Sequence, residues 1–537
     1  MTDTTHTILH SAKRFFSGTM LSRITGMLRD MSMAYVFGTQ EAIASFMVAF
    51  RFSHLLRRLF GEGALQSAFV PEFEALRLKN GGLAFRFFRD LAALLTIFLS
   101  LLITVSCCGL AWILTSMSLS EGNREIVLLT LLMLPSLLFI CLFGLNASLL
   151  QCEKSYFTPS VAPVAFNVIW IATVLLLQGV ESEIAMKLLS GGVIVACFFQ
   201  WAMTLPSVCR ILKKQLSLPL WGGICLYSKE ILLLLAPLSL GILGVAAAQV
   251  NSAIDAVFAR YADAEGPALL WYALRIQQLP LSLFAVAIGG AILPPLSRAI
   301  KAGDKSKYSH FIDYALRHSI TLLLPITAAL LILGDTCVSF LYGHGDFTAS
   351  SIAGTTRCLW AYGAGLLPSA LILILAPACY ARGDYRAPAI ASFAAMLLNG
   401  ALNAFFIMGL GLGAMSVAMA TSISAWINLA YLGQVLSRND VLMTSRSLGM
   451  HTVRISILTA AAVTTTVFAR ALMGDQGTLL SLFHNQIPAF SRSFIDQASA
   501  LAIQGGCFVG TLLFTAWVMG FHTLGLTFSK IRSQEQN

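Results

Sequence analysis

The sequence predicts an all-α polytopic membrane protein with about fourteen transmembrane helices. Of its 537 residues, 57% are hydrophobic and only 11% are charged, which is less than half of the ~25% charged residues usual in soluble domains. A soluble chain of this length has no core large enough to bury that much apolar surface. Because one transmembrane helix needs ~20 apolar residues, the apolar residues suffice for roughly fourteen spans with little left over.

Twelve predicted spans are clearly apolar, and two more at the N-terminal end have helical periodicity but carry several charges. In chain order the spans are 15–37, 43–72, 91–115, 126–150, 159–178, 185–208, 231–258, 267–294, 311–334, 352–380, 387–408, 413–436, 453–473 and 499–525. The segments between them are short, so we expect no domain outside the membrane. Any function must therefore reside in the helix bundle.

The distribution of Lys and Arg predicts how the chain is oriented. With the N-terminus in the cytoplasm, 22 of the 35 basic residues lie in cytoplasmic segments, and only Arg124, Lys187 and Arg492 lie in external loops. Cytoplasmic loops carry such an excess of basic residues in membrane proteins, and a wrong span count would invert the alternation partway along the chain. We therefore predict that both termini are cytoplasmic.

Several classes of function are excluded by what the sequence lacks. The net charge of +10 is mostly this orientation signal, so it does not indicate nucleic-acid binding. The eleven cysteines show no C-x-x-C spacing, which argues against a disulfide framework or a zinc site. A Walker-type phosphate loop and the H-E-x-x-H and G-x-S-x-G motifs are also absent. We expect a transporter without a nucleotide-driven motor, without a cofactor and without catalytic residues.

Charged residues inside the predicted spans identify the candidate site. An ionised side chain at the bilayer centre costs at least ~2.5–3.5 kcal/mol, so such residues usually face a polar cavity or each other. Five arginines fall in the first two spans, where they face the acids Asp30 and Glu62. The five are Arg23, Arg29, Arg51, Arg57 and Arg58.

Two interpretations of these arginines are open. Helical spacing allows internal ion pairs, between Arg58 and Glu62 at i,i+4 and between Arg23 and Asp30 two turns apart. Those pairs leave three positive charges over, and Arg275 in the eighth span has no acid within a turn. Arg275 either extends to the membrane surface or joins the others in a cationic cavity. The planar fork of arginine suits phosphate and carboxylate, so such a cavity predicts an anionic ligand.

Oxygen-bearing side chains suggest a second candidate site. Asp255 has Asn251 one turn earlier, and Asn399 and Asn403 form another i,i+4 pair in an apolar span. Asp255, Asn399 and Asn403 are candidate residues for a coupling ion, Na⁺ or H⁺. The alternative is that the asparagines only hydrogen-bond neighbouring helices.

Five blocks of sequence resemble the MurJ (MviN) lipid II flippase family of the MOP exporter superfamily. The most specific is F-R-F-S-H-L-L-R-R-L-F-G-E-G-A-L-Q-S-A-F-V-P at 50–71. The others are S-R-I-T-G-M-L-R-D at 22–30, A-I-L-P-P-L-S at 291–297, L-Y-G-H-G-D-F-T at 341–348 and L-A-P-A-C-Y-A-R-G-D-Y-R-A-P at 375–388. With the span count, the resemblance extends over nearly the whole chain.

The resemblance implies an architecture and a set of site residues. It implies six-helix lobes at 1–220 and 221–440 around a V-shaped central cavity, followed at 441–537 by two extra helices and a short cytoplasmic tail. In this family the extra helices contribute a groove for the polyprenyl tail. The family's substrate-binding positions match Ser22, Arg23, Arg29, Arg57 and Arg275, and the candidate structural or gating pairs involve Asp30, Arg58 and Glu62.

The chain also departs from the family pattern. Many relatives carry Asp where this chain has Ala44, and relatives can carry acids where it has Leu274 and Gln278. The loss of these acids makes the predicted cavity more positive and bears on the family's gating ion pairs.

The predicted function is a lipid II flippase of the bacterial inner membrane, moving the undecaprenyl-pyrophosphate-linked peptidoglycan precursor to the outer leaflet by alternating access. Its predicted partners are lipid II, membrane lipids and proteins of cell-wall synthesis or division. The alternatives are a flippase for another polyprenyl-linked glycan and an intramembrane glycosyltransferase or polymerase, for which the outer loops are short and poor in clustered acids.

Overall fold

The computed structural model describes residues 5–60, 64–215, 223–438, 446–472 and 494–520. These residues form nineteen α-helices and no strand. The helices are α1 Thr5–Phe37, α2 Glu41–Phe60, α3 Ala64–Lys79, α4 Gly81–Ser116, α5 Glu121–Met133, α6 Ser136–Cys152, α7 Phe157–Leu176, α8 Ser182–Ala202, α9 Leu205–Gln215, α10 Lys229–Ala262, α11 Gly266–Pro280, α12 Val286–Lys301, α13 Lys305–Tyr342, α14 Ala349–Ala364, α15 Leu366–Ala381, α16 Arg386–Ala404, α17 Met415–Arg438, α18 Arg446–Leu472 and α19 Phe494–Val518.

We expect such an apolar sequence to form long helices in lipid, because a helix satisfies its own backbone hydrogen bonds where no water is available. Polar residues then cap helix starts. Asp304 Oδ1 accepts a hydrogen bond from the Lys307 amide (2.8 Å) at the start of α13. Thr348 Oγ1 accepts one from the Ser351 amide (3.2 Å) at the start of α14. Side chains of this kind satisfy amides that have no partner within the helix.

The predicted all-α, multi-pass class is confirmed. Within the described ranges, nine helical segments are long and apolar enough to cross a membrane, and the pair α5 and α6, bent by 47°, makes a tenth. The other four predicted spans fall on α1, on α2 with α3, on α10, and on α11 with α12. Fourteen as the number of membrane crossings stays a prediction.

The chain folds into two compact units, and the boundary between them follows Arg260. In the first unit, α1 packs along α7, α2 packs on α5, and α7 packs on α8. An aromatic cluster fills the space between α2 and α7: the ring of Trp170 lies edge-on to those of Phe46 (5.7 Å) and Phe50 (5.0 Å). Edge-to-face geometry is favoured between aromatic rings, so this cluster links α7 to α2, while α7 also packs along α1 with its candidate arginines.

Helix α13 is the centre of the second unit, in contact with α12, α14, α15, α18 and α19. Its first half contributes Ile312 and Leu316 to a core shared with α12, α15 and α17. Its second half contributes Ile332 and Leu333 to a separate core with α18 and α19. The two C-terminal helices therefore belong to the second unit, where they pack on α13. The predicted division of the chain into lobes, at residues 220 and 440, stays a prediction, because the two compact units do not test where each lobe begins and ends.

Short π-helical turns interrupt two of the long helices. One, Leu281–Ala285, follows Pro280 and separates α11 from α12, and the other, Phe405–Gly409, follows α16. Proline has no amide hydrogen to donate and crowds the preceding turn, which explains the first interruption. The carboxyl-terminal half of α11, with Arg275, thus ends at a break in the helix.

Candidate functional site

Helix α1 carries three of the five predicted substrate-binding residues. Ser22 and Arg23 are half-buried, and Arg29 is buried at 7% exposure. The guanidinium of Arg29 donates two hydrogen bonds to one oxygen of Asp30, from Nη2 (2.8 Å) and from Nε (3.1 Å). Asp30 is itself buried, so the charge of Arg29 is compensated within the protein.

Asp30 forms an ion pair with its immediate neighbour, Arg29. The pair between Arg23 and Asp30 that helical spacing also allows stays a prediction. Consecutive residues on a helix point in different directions, but the long arginine side chain reaches round the helix. Arg23 lies on the same helix, half-buried.

Helix α7 covers Arg29 from the other side. Its Asn167 Oδ1 accepts a hydrogen bond from Arg29 Nη1 (3.4 Å). The guanidinium carbon lies 5.1 Å from the ring centroid of Trp170 and 5.9 Å from that of Phe166. Both distances are within the range of cation–π attraction. A carboxylate, an amide and two aromatic rings thus surround one cation.

The amide nitrogen of Asn167 extends this contact along α1. It donates to the Ser22 carbonyl oxygen (3.2 Å) and to Thr25 Oγ1 (3.0 Å). Asn167 therefore joins two predicted site residues, Ser22 and Arg29. Nothing in the sequence singles out Asn167, because a lone Asn in an apolar span carries no signal of which helix it faces.

The second span contributes Arg57, which is half-buried on α2. On the same helix, Arg51 Nη1 donates to the Ser252 carbonyl oxygen of α10 (3.4 Å). Glu62 and the side chain of Arg58 lie outside the described residues, so their predicted pairing stays a prediction. Ala44, one of the expected departures from the family pattern, is fully buried in α2.

Arg275 belongs to the second unit. It is half-buried on α11, and its guanidinium carbon lies 4.3 Å from the ring centroid of Trp271, one turn earlier. Two residues further on, Gln277 Nε2 donates to the Tyr362 carbonyl oxygen of α14 (2.7 Å). This hydrogen bond links this part of α11 to α14 within the second unit. Leu274 and Gln278, at the two other departures from the family, are partly buried.

The candidate ion residues make local contacts. Asn251 Nδ2 donates to Asp255 Oδ2 (3.4 Å) on α10. In the second unit, Asn403 Nδ2 donates to Asn399 Oδ1 (2.8 Å), and Asn399 Nδ2 donates to Thr421 Oγ1 of α17 (3.1 Å). The Asn399–Thr421 hydrogen bond joins α16 to α17, which is the alternative role in which the asparagines link neighbouring helices. In the part of the chain that is described, no three His, Cys, Asp or Glu are grouped to hold a metal ion.

The second unit holds a buried ion pair that the sequence analysis missed. Arg470 of α18 donates to both carboxylate oxygens of Asp335 of α13, from Nη1 (3.0 Å) and Nη2 (2.5 Å), and also to the Ile332 carbonyl oxygen. Beside it, Thr336 donates to Gln504 Oε1 of α19 (3.0 Å). Three helices therefore meet at one buried polar cluster. The signals in the sequence were two charges in apolar surroundings, Arg470 within one predicted span and Asp335 at the end of another.

Long apolar helices with buried, compensated arginines define a multi-pass α-helical membrane protein. The family described as "Lipid II flippase MurJ" matches residues 33–487. The "Probable lipid II flippase MurJ" of Chlamydia pneumoniae is 33% identical over 79% of this chain and 76% of its own length. The "Lipid II flippase MurJ" of Burkholderia cenocepacia is 30% identical over 77% and 81%. The chain belongs to the MurJ family.

Solved structures show the same fold. A structure entitled "Lipid II flippase MurJ, inward closed conformation" aligns with a TM-score of 0.73 at 22% identity, covering 94% of this chain and 99% of that one. An inward-facing multidrug resistance MATE family transporter of the MOP superfamily aligns with a TM-score of 0.62 at 13% identity, covering 80% and 99%. These likenesses concern the fold alone, and they agree with the resemblance found in the sequence.

Proposed function

We propose that this protein is a flippase that moves lipid II, the undecaprenyl-pyrophosphate-linked peptidoglycan precursor, from the inner to the outer leaflet of the cytoplasmic membrane. Membership of the MurJ family supports the substrate. The observation that carries the site is Arg29, a cation buried on α1 and held by Asp30, Asn167 and Trp170. A buried cation is costly in a helix that we predict to span the membrane, and this arrangement indicates a functional site.

The pyrophosphate is the part of the substrate that needs this site. Its charges are rejected by hydrocarbon, and guanidinium groups bind phosphate oxygens through paired, charge-assisted hydrogen bonds. We assign head-group binding to Ser22, Arg23, Arg29, Arg57 and Arg275. Because Asp30 already occupies two donors of Arg29, the phosphate displaces a carboxylate there, so that binding exchanges one ion pair for another and remains reversible.

The transport cycle that we propose is alternating access. The site receives the head group from the cytoplasmic side and releases it outside, while the lipid tail stays in the bilayer beside α18 and α19. Both termini are assigned to the cytoplasm, as the distribution of basic residues predicts. Proteins of cell-wall synthesis or division stay predicted partners.

The energy for transport comes from the membrane potential, an ion gradient or consumption of the product outside, since the sequence has no phosphate-binding loop. For ion coupling, the candidates are Asp255, Asn399 and Asn403. We expect Asp255→Asn to reduce sodium- or proton-dependent transport in proteoliposomes. Transport that is indifferent to sodium, to a pH gradient and to Asp255→Asn would exclude coupling at this site.

Two other functions compete with this one. A flippase for a different polyprenyl-linked glycan would use the same cationic site, because the pyrophosphate is common to both substrates. An intramembrane glycosyltransferase or polymerase is less favoured, because the outer loops are short and poor in clustered acids. An assay with purified protein that measures leaflet transfer and product formation separately distinguishes transport from catalysis.

The decisive test replaces the arginines. Arg29→Ala and Arg275→Ala should each reduce leaflet transfer at least about tenfold, because each removes charge-assisted hydrogen bonds of about 1.5–3 kcal/mol. They should also fail to restore growth when the host's lipid II flippase is depleted, although the proteins reach the membrane. Arg298→Ala, which removes an exposed arginine at the end of α12, is the matched control and should restore growth. Normal growth with both site variants would refute the arginine site.

A further inference from the structure

The side-chain amide of Asn167 contacts α1 at three positions, and two of these, Ser22 and Arg29, belong to the candidate site. Both donors and the acceptor of this amide are used: Nδ2 donates to Ser22 O (3.2 Å) and Thr25 Oγ1 (3.0 Å), and Oδ1 accepts from Arg29 Nη1 (3.4 Å). An asparagine amide offers two donor hydrogens and a carbonyl acceptor. Asn167 is 4% exposed, so its amide bonds to these partners and not to solvent.

The three partners lie on one face of α1. Residues 22, 25 and 29 are spaced three and four apart, which places them in a row along a helix. Phe166 and Trp170 flank Asn167 on α7 and lie against the guanidinium of Arg29. Asn167 thus sits at the middle of a row whose one end is Ser22 and whose other end is Arg29.

We propose that Asn167 is a positioning residue for the anion site: it holds the Arg29 guanidinium at a fixed place relative to Ser22. The inference rests on the proposed function, in which Arg29 binds the pyrophosphate. A fixed guanidinium loses less freedom on binding than a mobile one, and pre-organisation of this kind raises affinity. Asn167 itself does not bind the substrate in this assignment.

The chemistry of the amide explains why asparagine suits this place. Leucine has nearly the same shape but neither donor nor acceptor, so Asn167→Leu loses all three hydrogen bonds. Aspartate keeps an acceptor for Arg29 but loses the donors, places an oxygen beside the Ser22 carbonyl oxygen, and adds a second carboxylate that competes with phosphate for the cation. The two substitutions therefore impair anion binding for different reasons.

A merely structural asparagine would have a different signature. Asn146 provides the comparison, because it is also buried in the first unit and its Nδ2 donates to Thr204 Oγ1 (2.9 Å), away from the candidate site. Loss of a buried hydrogen bond between side chains destabilises the protein in either case. Only at Asn167 should the loss also weaken binding of an anion.

The experiment measures binding of undecaprenyl pyrophosphate and of the uncharged undecaprenol to the purified full-length protein in detergent. Thermal midpoints are recorded for every variant. We expect Asn167→Leu and Asn167→Asp to bind undecaprenyl pyrophosphate about tenfold more weakly, as befits a hydrogen bond to a charged group, with undecaprenol binding unchanged. Asn146→Leu should lower the thermal midpoint without changing either affinity. If Asn167→Leu does not fold, Asn167→Asp carries the test.

A double-mutant cycle shows whether Asn167 acts through Arg29. If it does, Arg29→Ala with Asn167→Leu binds undecaprenyl pyrophosphate no more weakly than Arg29→Ala alone. Additive losses, or unchanged affinity in both Asn167 variants, would overturn the inference while leaving the proposed function intact. Unchanged affinity in Arg29→Ala would instead refute the proposed role of Arg29, whatever the Asn167 variants do.

Discussion

The surroundings of Arg29 have a close counterpart elsewhere in the molecule. Arg89 and Asp90, on α4, are also buried neighbours, and Arg89 donates to one oxygen of Asp90 from Nη2 (2.8 Å) and Nε (3.0 Å). The second pair is completed by the Gly223 carbonyl oxygen (2.8 Å), whereas Arg29 is completed by an amide and two aromatic rings. The Arg89–Asp90 pair is thus joined by a backbone oxygen, whereas the Arg29–Asp30 pair is joined by side chains of α7.

This difference makes a prediction for Asp30→Asn. Removing one partner of a buried pair leaves an uncompensated charge and costs about 3–5 kcal/mol, so the thermal midpoint should fall. If Arg29 binds phosphate, undecaprenyl pyrophosphate should restore much of the loss, because it supplies the missing negative charge. The ligand-induced rise in thermal midpoint should therefore exceed that of the unchanged protein.

Asp90→Asn is the matched control for Asp30→Asn. It should lower the thermal midpoint similarly, and the ligand should raise that midpoint no more than in the unchanged protein. An equal ligand response in the two variants would contradict a phosphate-binding role for Arg29.

Among the elements, α18 shows how a helix acquires a defined orientation in lipid. Apolar residues lie on every side of α18, and lipid provides no hydrophobic force between helices, so polar contacts and close packing decide which face meets a neighbour. The Asp335–Arg470 pair supplies that contact with α13. The adjacent Thr336–Gln504 hydrogen bond does the same for α19.

We therefore expect Arg470→Met to destabilise the protein by about 3–5 kcal/mol, because it leaves the Asp335 carboxylate buried without its cation. The double variant Asp335→Leu with Arg470→Met should recover much of this loss, since apolar side chains of similar volume often replace a buried ion pair without penalty. Unfolding of the purified protein with increasing denaturing detergent measures both effects.

The matched control for Arg470→Met is Arg317→Met, because Arg317 also forms an ion pair with an aspartate. Arg317 pairs with Asp313 on the same helix α13 (2.6 Å), but both side chains are about a third exposed. Exposed pairs contribute about 0–1 kcal/mol, so this change should be nearly neutral. Equal losses at Arg470 and Arg317 would contradict the orienting role of the buried pair.

At the scale of the whole molecule, the sequence predicts how the chain is oriented in the membrane. Labelling of cysteines from one side of the membrane tests this orientation. Cys225 is an exposed native thiol just before α10, in a segment assigned to the cytoplasm. A membrane-impermeant maleimide should label it in inverted vesicles and not in right-side-out vesicles. Ser118→Cys, at an exposed position between α4 and α5, should show the opposite pattern. Labelling of both thiols from one side would refute the predicted topology.

Much of the fold was predictable from the sequence, because the bilayer imposes a simple rule: about twenty apolar residues make a helix that satisfies its own backbone. The candidate residues Ser22, Arg23, Arg29, Arg57 and Arg275 were likewise visible as polar residues in apolar or family-like segments. The partners of these residues were not visible. Helical spacing allowed a pair between Arg23 and Asp30, but it gave no sign that the flexible side chain of Arg29 reaches the same carboxylate.

The sequence by itself determined that this is a multi-pass helical membrane protein of the MurJ family, and it singled out arginines in the first two spans and in the eighth. Composition and local motifs suffice for both, because each depends on residues close together in the chain. Only the tertiary structure decided that Asn167, 138 residues after Arg29, holds that arginine, and that Asp335 compensates Arg470. Such pairings follow from which helix faces pack together, and in an apolar sequence many packings satisfy the same hydropathy pattern.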